Sequence, residues 1–286
     1  MPKAFLLVLA ACLGTSLALG PTPAMAWDTE GHRIIAHLAY ERLTPNAKAE
    51  IAELVKHSVE QGTPSCPVAS LEDASAWPDC IRPLHGRFEY LALMHYEDVP
   101  ICGVAPKATY CPDGKCITDE TKRAIAILRD RQRPAVERLQ ALEEITHFIG
   151  DLHQPLHAAN NNDRGGNDVK VMVEGHASNL HHVWDTEILE NAVGTSEEAA
   201  EASLRPLVAA NAARWSSGDV DSWLAQTHQL ALSYVYPKLS SPPACGQPAP
   251  AQTISQTYLD DAAPLVRVQL ARAAVRLAVI LNRTLN

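Results

Sequence analysis

Twelve histidines are spread along the 286-residue chain, and their spacing carries more than their number. In the run from Thr146 to His157, His147 and Asp151 stand four residues apart. On a helix that spacing puts an imidazole and a carboxylate on one face. His157 follows directly after Pro155, which ends the helix. The run Asn179-Leu180-His181-His182-Val183-Trp184-Asp185 repeats the device with His181 and Asp185. Neutral imidazole and carboxylate are ligands that suit zinc in a catalytic site. One His-x-x-x-Asp alone is commonly a surface or capped pair. Two on separate helices point to a metal site. His32 and His95, each among apolar neighbours, carry no such pattern of their own.

The elements that must hold these residues are helices. Ile34, Ile35, Leu38, Ala39 and Leu43 fall at helical spacing between Gly31 and Arg42. Thr44-Pro45 stops that helix and starts the next, with threonine as cap and proline at the first position. Thr118 is expected to cap a helix carrying Ile125, Ala126 and Leu128, and Pro134 to open one running toward Pro155. Residues 179–193, 197–215, 219–236 and 256–285 also read as helix. The one strand signal is Val169, Val171 and Val173, alternating with polar residues; residues 86–99 are ambiguous. The expectation is an all-α class: a single mainly helical domain with a short β segment and disulfides.

The N-terminus sets the compartment. Lys3, an apolar run from Ala4 to Ala11 and the close Ala24-Met25-Ala26 describe a secretory signal peptide over 1–26, cleaved after Ala26. The mature domain is then expected to be 27–286, secreted or periplasmic, with no later stretch apolar enough to span a bilayer. Seven cysteines less Cys12 of the leader leave an even number, as expected of disulfides in an exported protein. Cys111 and Cys116 close a short Pro-Asp-Gly turn and read as one pair; composition does not pair Cys66, Cys80, Cys102 and Cys245. The net charge of −9 excludes a general affinity for nucleic acid through counterion release. A polyanionic substrate would need local positive charge, with bound metal as its source.

Several motifs in order carry a resemblance. These are Trp27-x-x-x-x-His32, Ala76-Trp77-Pro78-Asp79, His95-Tyr96-Glu97-Asp98, His147 to Asp151 with Gln154 to His157, Gly165-Gly166-Asn167, and Asn179 to Asp185. Together they resemble the secreted single-strand-specific zinc nucleases and 3′-nucleotidases of fungi, plants and bacteria, in the superfamily that includes zinc phospholipase C. The resemblance covers Trp27 to about Asp185, and the helical tail fits it. It implies three zinc ions. The first would take Asp79, His95, His147 and Asp151; the second His157, His181 and Asp185; the third His32, Asp151 and the free amine and carbonyl oxygen of Trp27. Asp151 would bridge two ions, and the third site could form only after the leader is removed. The resemblance also suggests the disulfide Cys102–Cys245 beside Cys111–Cys116, which leaves Cys66 with Cys80.

What the resemblance implies chemically is a metal-bound hydroxide attacking phosphorus in line, with Asp79, Arg82 and Asp151 in the catalytic set. Its substrates would be single-stranded DNA or RNA, cut to 5′-nucleotides, and 3′-mononucleotides, which would lose their phosphate. Arg82 would hold a phosphate oxygen, Tyr96 would stack on an unpaired base, and Asp98 and Asn167 would bond the base edge. Two positions depart from the family pattern. Pro78 replaces a small residue and is expected to bend the turn carrying Arg82. Arg164 stands where fungal members carry an apolar residue against the base, and its guanidinium plane would stack there instead. His153 and His182 neighbour ligands and read as supporting or surface residues. The chain is expected to act as a monomer with no stable membrane association.

Two rivals remain. A phospholipase C-like phosphodiesterase shares the ligand set, but that branch ends its last ligand pair in glutamate, where this chain has Asp185, and spaces its first histidine farther from the terminal tryptophan. A non-catalytic zinc-binding protein would favour a His-rich tract, and none occurs.

Overall fold

The structure is a computed structural model that describes residues 27–84 and 86–286; the leader expected over 1–26 lies outside the described residues. Ten α-helices appear among the described residues, with shorter 3₁₀ and π segments between them. Helix α1 (Thr29–Tyr40) is capped by Asp28, whose carboxylate accepts from Gly31 N at 3.2 Å. Its apolar face buries Ile34, Ile35, Leu38 and Ala39. Thr44 and Pro45 open α2 (Pro45–Leu54) as cap and first residue. Helix α3 (Leu71–Cys80) is capped by Ser70 and keeps its course through Pro78, which sits in its last turn. There proline removes one intrahelical donor without a long helix beyond it to break.

Helix α4 (Ile117–Arg129) is capped two residues earlier than expected. Cys116 occupies the cap position, and Thr118 lies inside the helix, fully buried. The Thr118 hydroxyl donates instead to Glu97 Oε2 at 2.5 Å. Helix α5 (Ala135–Asp151) follows Pro134, and every residue from Ala141 to Asp151 is buried. It packs between α3 and α4. Helices α6 (Leu180–His182) and α7 (Ile188–Val193) are joined by a π-helical turn, Val183–Glu187. Helices α8 (Glu197–Trp215) and α9 (Val220–Leu230) follow, and a second π turn, Ala231–Val235, extends α9. The 30-residue α10 (Gln256–Leu285) lies against α1, α5, α7 and α8, closing the core.

The valine alternation forms β1 (Lys170–Val173), with Val171 and Val173 buried and Lys170 and Met172 exposed. A turn at Glu174 and Gly175, both at positive φ, folds β2 (His176–Asn179) back antiparallel to it. The two-residue β3 (Gln252–Thr253) pairs parallel to β1 on its other edge, so the order is β2-β1-β3. The ambiguous stretch 86–99 contains only a short 3₁₀ turn, Glu89–Leu93. Its end is held by other loops: Glu97 N donates to His157 O at 2.8 Å, and Ile117 N to Tyr96 O at 3.1 Å. Three disulfides, Cys66–Cys80, Cys102–Cys245 and Cys111–Cys116, tie down the loops around that face. No helix among the described residues is long and apolar enough to cross a membrane.

Candidate metal centre and adjoining pocket

The last two turns of α5 carry His147 and Asp151 on one face, and the ends of α1, α3 and the 93–98 loop converge on them. Asp151 is fully buried and divides its two oxygens. Oδ1 lies 3.1 Å from His32 Nε2. Oδ2 lies 3.0 Å from His95 Nδ1 and 3.2 Å from His147 Nε2. Asp79 enters from α3, 3.8 Å from His147 Nε2 and 3.9 Å from His95 Nδ1. His32 stacks on His147 with ring centroids 4.0 Å apart. That stack needs Gly150, because a Cβ there would come within 2.7 Å of His32 Nδ1. The Trp27 ring is wholly buried beside it and donates from Nε1 to Gly150 O at 3.0 Å.

A second group lies next to the first. His157 follows the 3₁₀ turn Pro155–His157, and His181 and Asp185 come from α6 and the π turn behind it. His157 Nε2 and His181 Nε2 face one another at 2.9 Å, with Asp185 Oδ2 3.4 Å from His181 Nε2. Gln154 Nε2 donates to the other Asp185 oxygen at 2.5 Å and aims the carboxylate.

The proton positions follow from the acceptors. A carbonyl only accepts. His147 Nδ1 therefore donates to Ser75 O at 2.7 Å, His157 Nδ1 to His95 O at 2.7 Å, and His181 Nδ1 to Gly165 O at 2.6 Å. Each Nε2 is left presenting a lone pair inward. Two such lone pairs meet between His157 and His181, and a third meets the Asp151 carboxylate. Asp79 Oδ2, His95 Nε2 and Asp185 Oδ2 are buried without a hydrogen bond among the described residues. Buried acceptors aimed at one another are unfavourable unless a cation lies among them. Burial holds His157 down to about 3 and His181 down to about 4, so both are neutral imidazoles near pH 7. Burial also opposes charge on His147, but the Asp151 and Asp79 carboxylates outweigh it and push the imidazole up to about 9, so near pH 7 its Nε2 holds a proton toward Asp151 that a bound cation would displace to free the lone pair. This donor set fits zinc: His and Asp ligands, with carbonyls fixing each ring from behind. Three groups could each hold an ion, namely His32/His147/Asp151, Asp79/His95/His147 and His157/His181/Asp185.

A cavity of about 320 Å³ opens onto the cluster. His95, His157 and His181 form its floor, and Arg82, Tyr96, Asp98, Arg164 and Asn167 line its sides. Arg82 Nη1 reaches Asp79 Oδ1 at 3.1 Å, so Pro78 does not turn it away. Arg164 stands at the exposed rim with its fork on Asp168, Nη2 to Oδ1 at 2.6 Å. Asn167 donates from Nδ2 to Arg164 O at 2.8 Å. Gly165, at φ 59°, lies so close to Leu156 O that a Cβ would approach to 2.4 Å. Burial, reinforced by the Asp163 carboxylate, pushes Asp98 up to about 6.

Comparison with known proteins decides the family. The S1/P1 nuclease family model matches residues 27–286. The chain belongs to the S1/P1 nuclease family. It is 29% identical over 278 residues to endonuclease 5 of Arabidopsis thaliana, covering 91% of this chain and 90% of that one. It is 26% identical to nuclease P1 of Penicillium citrinum, covering 90% and 97%. With nuclease S1 of Aspergillus oryzae it shares 28% identity over 173 residues, 59% and 56% of the two chains. As an S1/P1 nuclease it is a hydrolase of phosphodiester bonds, and the clustered carboxylates and imidazoles are its candidate metal site.

Several supporting residues have no motif in the sequence. Gln154 aims Asp185, and the carbonyls of Ser75, His95 and Gly165 set three imidazoles. His153 is buried, donates to Ile149 O at 2.7 Å and accepts from Arg276 at 2.8 Å, so it faces α10 and not the cluster. His182 is exposed. The invariable signal for a supporting carbonyl is its fold position, which no residue letter encodes.

Proposed function

We propose that this S1/P1 nuclease cuts single-stranded DNA and RNA endonucleolytically to 5′-nucleotides, removes phosphate from 3′-mononucleotides, and does so with three zinc ions. The observation that carries the reading is one cavity: imidazoles with inward lone pairs at its floor, and a guanidinium, a tyrosine and base-edge hydrogen-bonding groups on its sides. Asp79, His95, His147 and Asp151 would hold the first ion, His157, His181 and Asp185 the second, and His32, Asp151 and the free amine and carbonyl of Trp27 the third. The divided contacts of Asp151 suit a bridging carboxylate. When bound, zinc supplies positive charge for phosphate oxygens and lowers the pKa of water.

The chain's own residues then do the rest. Arg82, steadied by Asp79, holds a non-bridging phosphate oxygen and adds charge where it grows during attack. Tyr96 offers a ring to an unstacked base, and Asp98 and Asn167 reach its edge. A base inside a duplex is paired and stacked out of reach, which is the basis of the single-strand preference. The chain is exported, begins at Trp27 in its mature form and works as a monomer away from membranes. Rates on single-stranded DNA, duplex DNA, RNA, 3′-AMP and phosphatidylcholine test this. Single strands and 3′-AMP should lead; preference for phosphatidylcholine or for the duplex would overturn it.

A further inference from the structure

A second cavity, of about 570 Å³, adjoins the base pocket. Leu93, Tyr96 and Asp98 line both, so a wall of three side chains separates them. The second cavity is the larger, yet no residue of the metal cluster lines it. Its own lining includes Tyr110, Lys115, Asn160 and Asn162, with Pro100 and Pro112 as apolar faces. Two disulfides fix its shape. Cys102–Cys245 brings Gly246 to one side, and Cys111–Cys116 closes the loop that carries Lys115.

Charge singles out Lys115. Three cationic side chains of arginine and lysine line the two cavities, and two of them carry carboxylate partners: Arg82 on Asp79 and Arg164 on Asp168. Lys115 is exposed and has no carboxylate within ion-pair distance among the described residues. In a chain of net charge −9, an unneutralised ammonium beside the cleft is available to an anion. Tyr110 is half-buried, and its phenol makes no hydrogen bond among the described residues, so its ring is held while its polar tip remains open. An aromatic face, a lone cation and side-chain amides in one concave site are what a nucleotide recognises.

Resting on the single-strand reading above, we infer that this cavity is a second nucleotide subsite, which takes the neighbour of the nucleotide in the base pocket, with Tyr110 against its base and Lys115 on a phosphate. A strand whose base lies against Tyr96 continues over the shared wall into the larger cavity, which Tyr96 also lines. The subsite would favour polymer over mononucleotide and add affinity without touching the reacting phosphate.

The test compares wild type with Lys115→Ala, Lys115→Arg and Tyr110→Ala on a single-stranded DNA octamer and on 3′-AMP, followed as substrate or as competitor of the octamer. Tyr110→Ala should raise KM for the octamer at least about fivefold with kcat kept, the loss of one stacked base. Lys115→Ala should raise it too and reduce the slope of log affinity against log salt by about 0.7, one single-strand phosphate contact. Lys115→Arg should restore the slope. The mononucleotide, too short to reach the second cavity, should bind all variants alike. Equal shifts for octamer and 3′-AMP, or no shift for either, would overturn the subsite. Failure of wild type to cut the octamer would instead remove the single-strand reading on which it rests. Melting curves of both alanine variants separate a lost contact from a lost fold.

Discussion

The metal cluster and the base pocket share His95, His157 and His181, yet they are built in opposite ways. The cluster hangs mainly on helices α1, α3, α5 and α6, with His95 from the 93–98 loop, His157 from a 3₁₀ turn and Asp185 from the π turn, and its side chains are almost without exposure. Behind each imidazole that the second group and His147 contribute stands a backbone carbonyl. The pocket instead hangs on irregular segments, 93–98 and 160–167, fixed by a few backbone bonds and by glycines at positive φ. Rigid support suits a site whose geometry must be held to fractions of an ångström. Loops suit a site proposed to discriminate among bases. Substitutions in the cluster should therefore remove metal and turnover together, and substitutions among the pocket residues proposed to meet the base, Tyr96, Asp98 and Asn167, should change KM with kcat largely kept.

The largest effect is expected at Asp151. Asp151→Ala takes a ligand from two proposed ions, and turnover on single-stranded DNA should fall more than about a thousandfold, beyond the loss of one electrostatic donor. Zinc analysis of the same variant should show two ions missing; full zinc with near-normal rates would break the contrast. Chelation should lower the melting temperature as well, since apposed buried lone pairs and carboxylates lose their cation. An unchanged melting temperature would count against metal as part of the fold.

A smaller effect is expected at Gln154, whose side chain donates to Asp185 and accepts from Leu156 N. Gln154→Ala should weaken zinc at the second site by about ten- to a hundredfold, as lost supporting bonds do elsewhere. Competition with a chelator measures it, and unchanged affinity would mean that Asp185 is aimed by packing alone.

In the pocket, Asp98 gives the contrast a pH signature. Its carboxyl is raised to about 6, so below that pH one oxygen carries a proton and donates, and above it both oxygens are charged and accept. Base affinity should therefore strengthen as pH rises through about 6. In Asp98→Asn that rise should vanish and KM should increase about tenfold, the scale of a hydrogen bond to a charged group. KM profiles against pH for both proteins decide; parallel profiles would exclude Asp98 from the base edge. The smallest effect belongs to Arg164, whose guanidinium is exposed and already paired with Asp168. Arg164→Ala should alter KM less than about fivefold, the range of an exposed ion pair. A larger change would move Arg164 from the rim into direct contact with the base.

The same two-part construction explains what was legible in the sequence. Helical periodicity placed α5, α8 and α10 closely, and the four-residue spacings put His147 beside Asp151 and His181 beside Asp185. Local rules reach such pairs because a helix fixes its own geometry. They miss partners set by tertiary packing. Thr118 looks like a cap but lies inside α4, because buried Glu97, 21 positions earlier, takes its hydroxyl. His153 looks like part of the histidine cluster but meets Arg276, 123 positions later. The 86–99 stretch has no period to read because its first part makes only a short 3₁₀ turn and its end, from Glu97, is held by the 157–160 segment. Tyr96 and Asp98 were therefore placed by motif resemblance alone, and their joint cavity with Arg82, Arg164 and Asn167 emerges only in the fold.

The proposed dependence of a third ion on a free Trp27 amine would join export, folding and chemistry, and native mass spectrometry of the exported protein tests it most directly. One spectrum gives both the chain mass and the number of zinc ions. The expected result is a chain starting at Trp27 with three zinc ions, and two ions on a variant that keeps one extra residue before Trp27. Three ions on that extended chain would contradict a ligand role for the Trp27 amine.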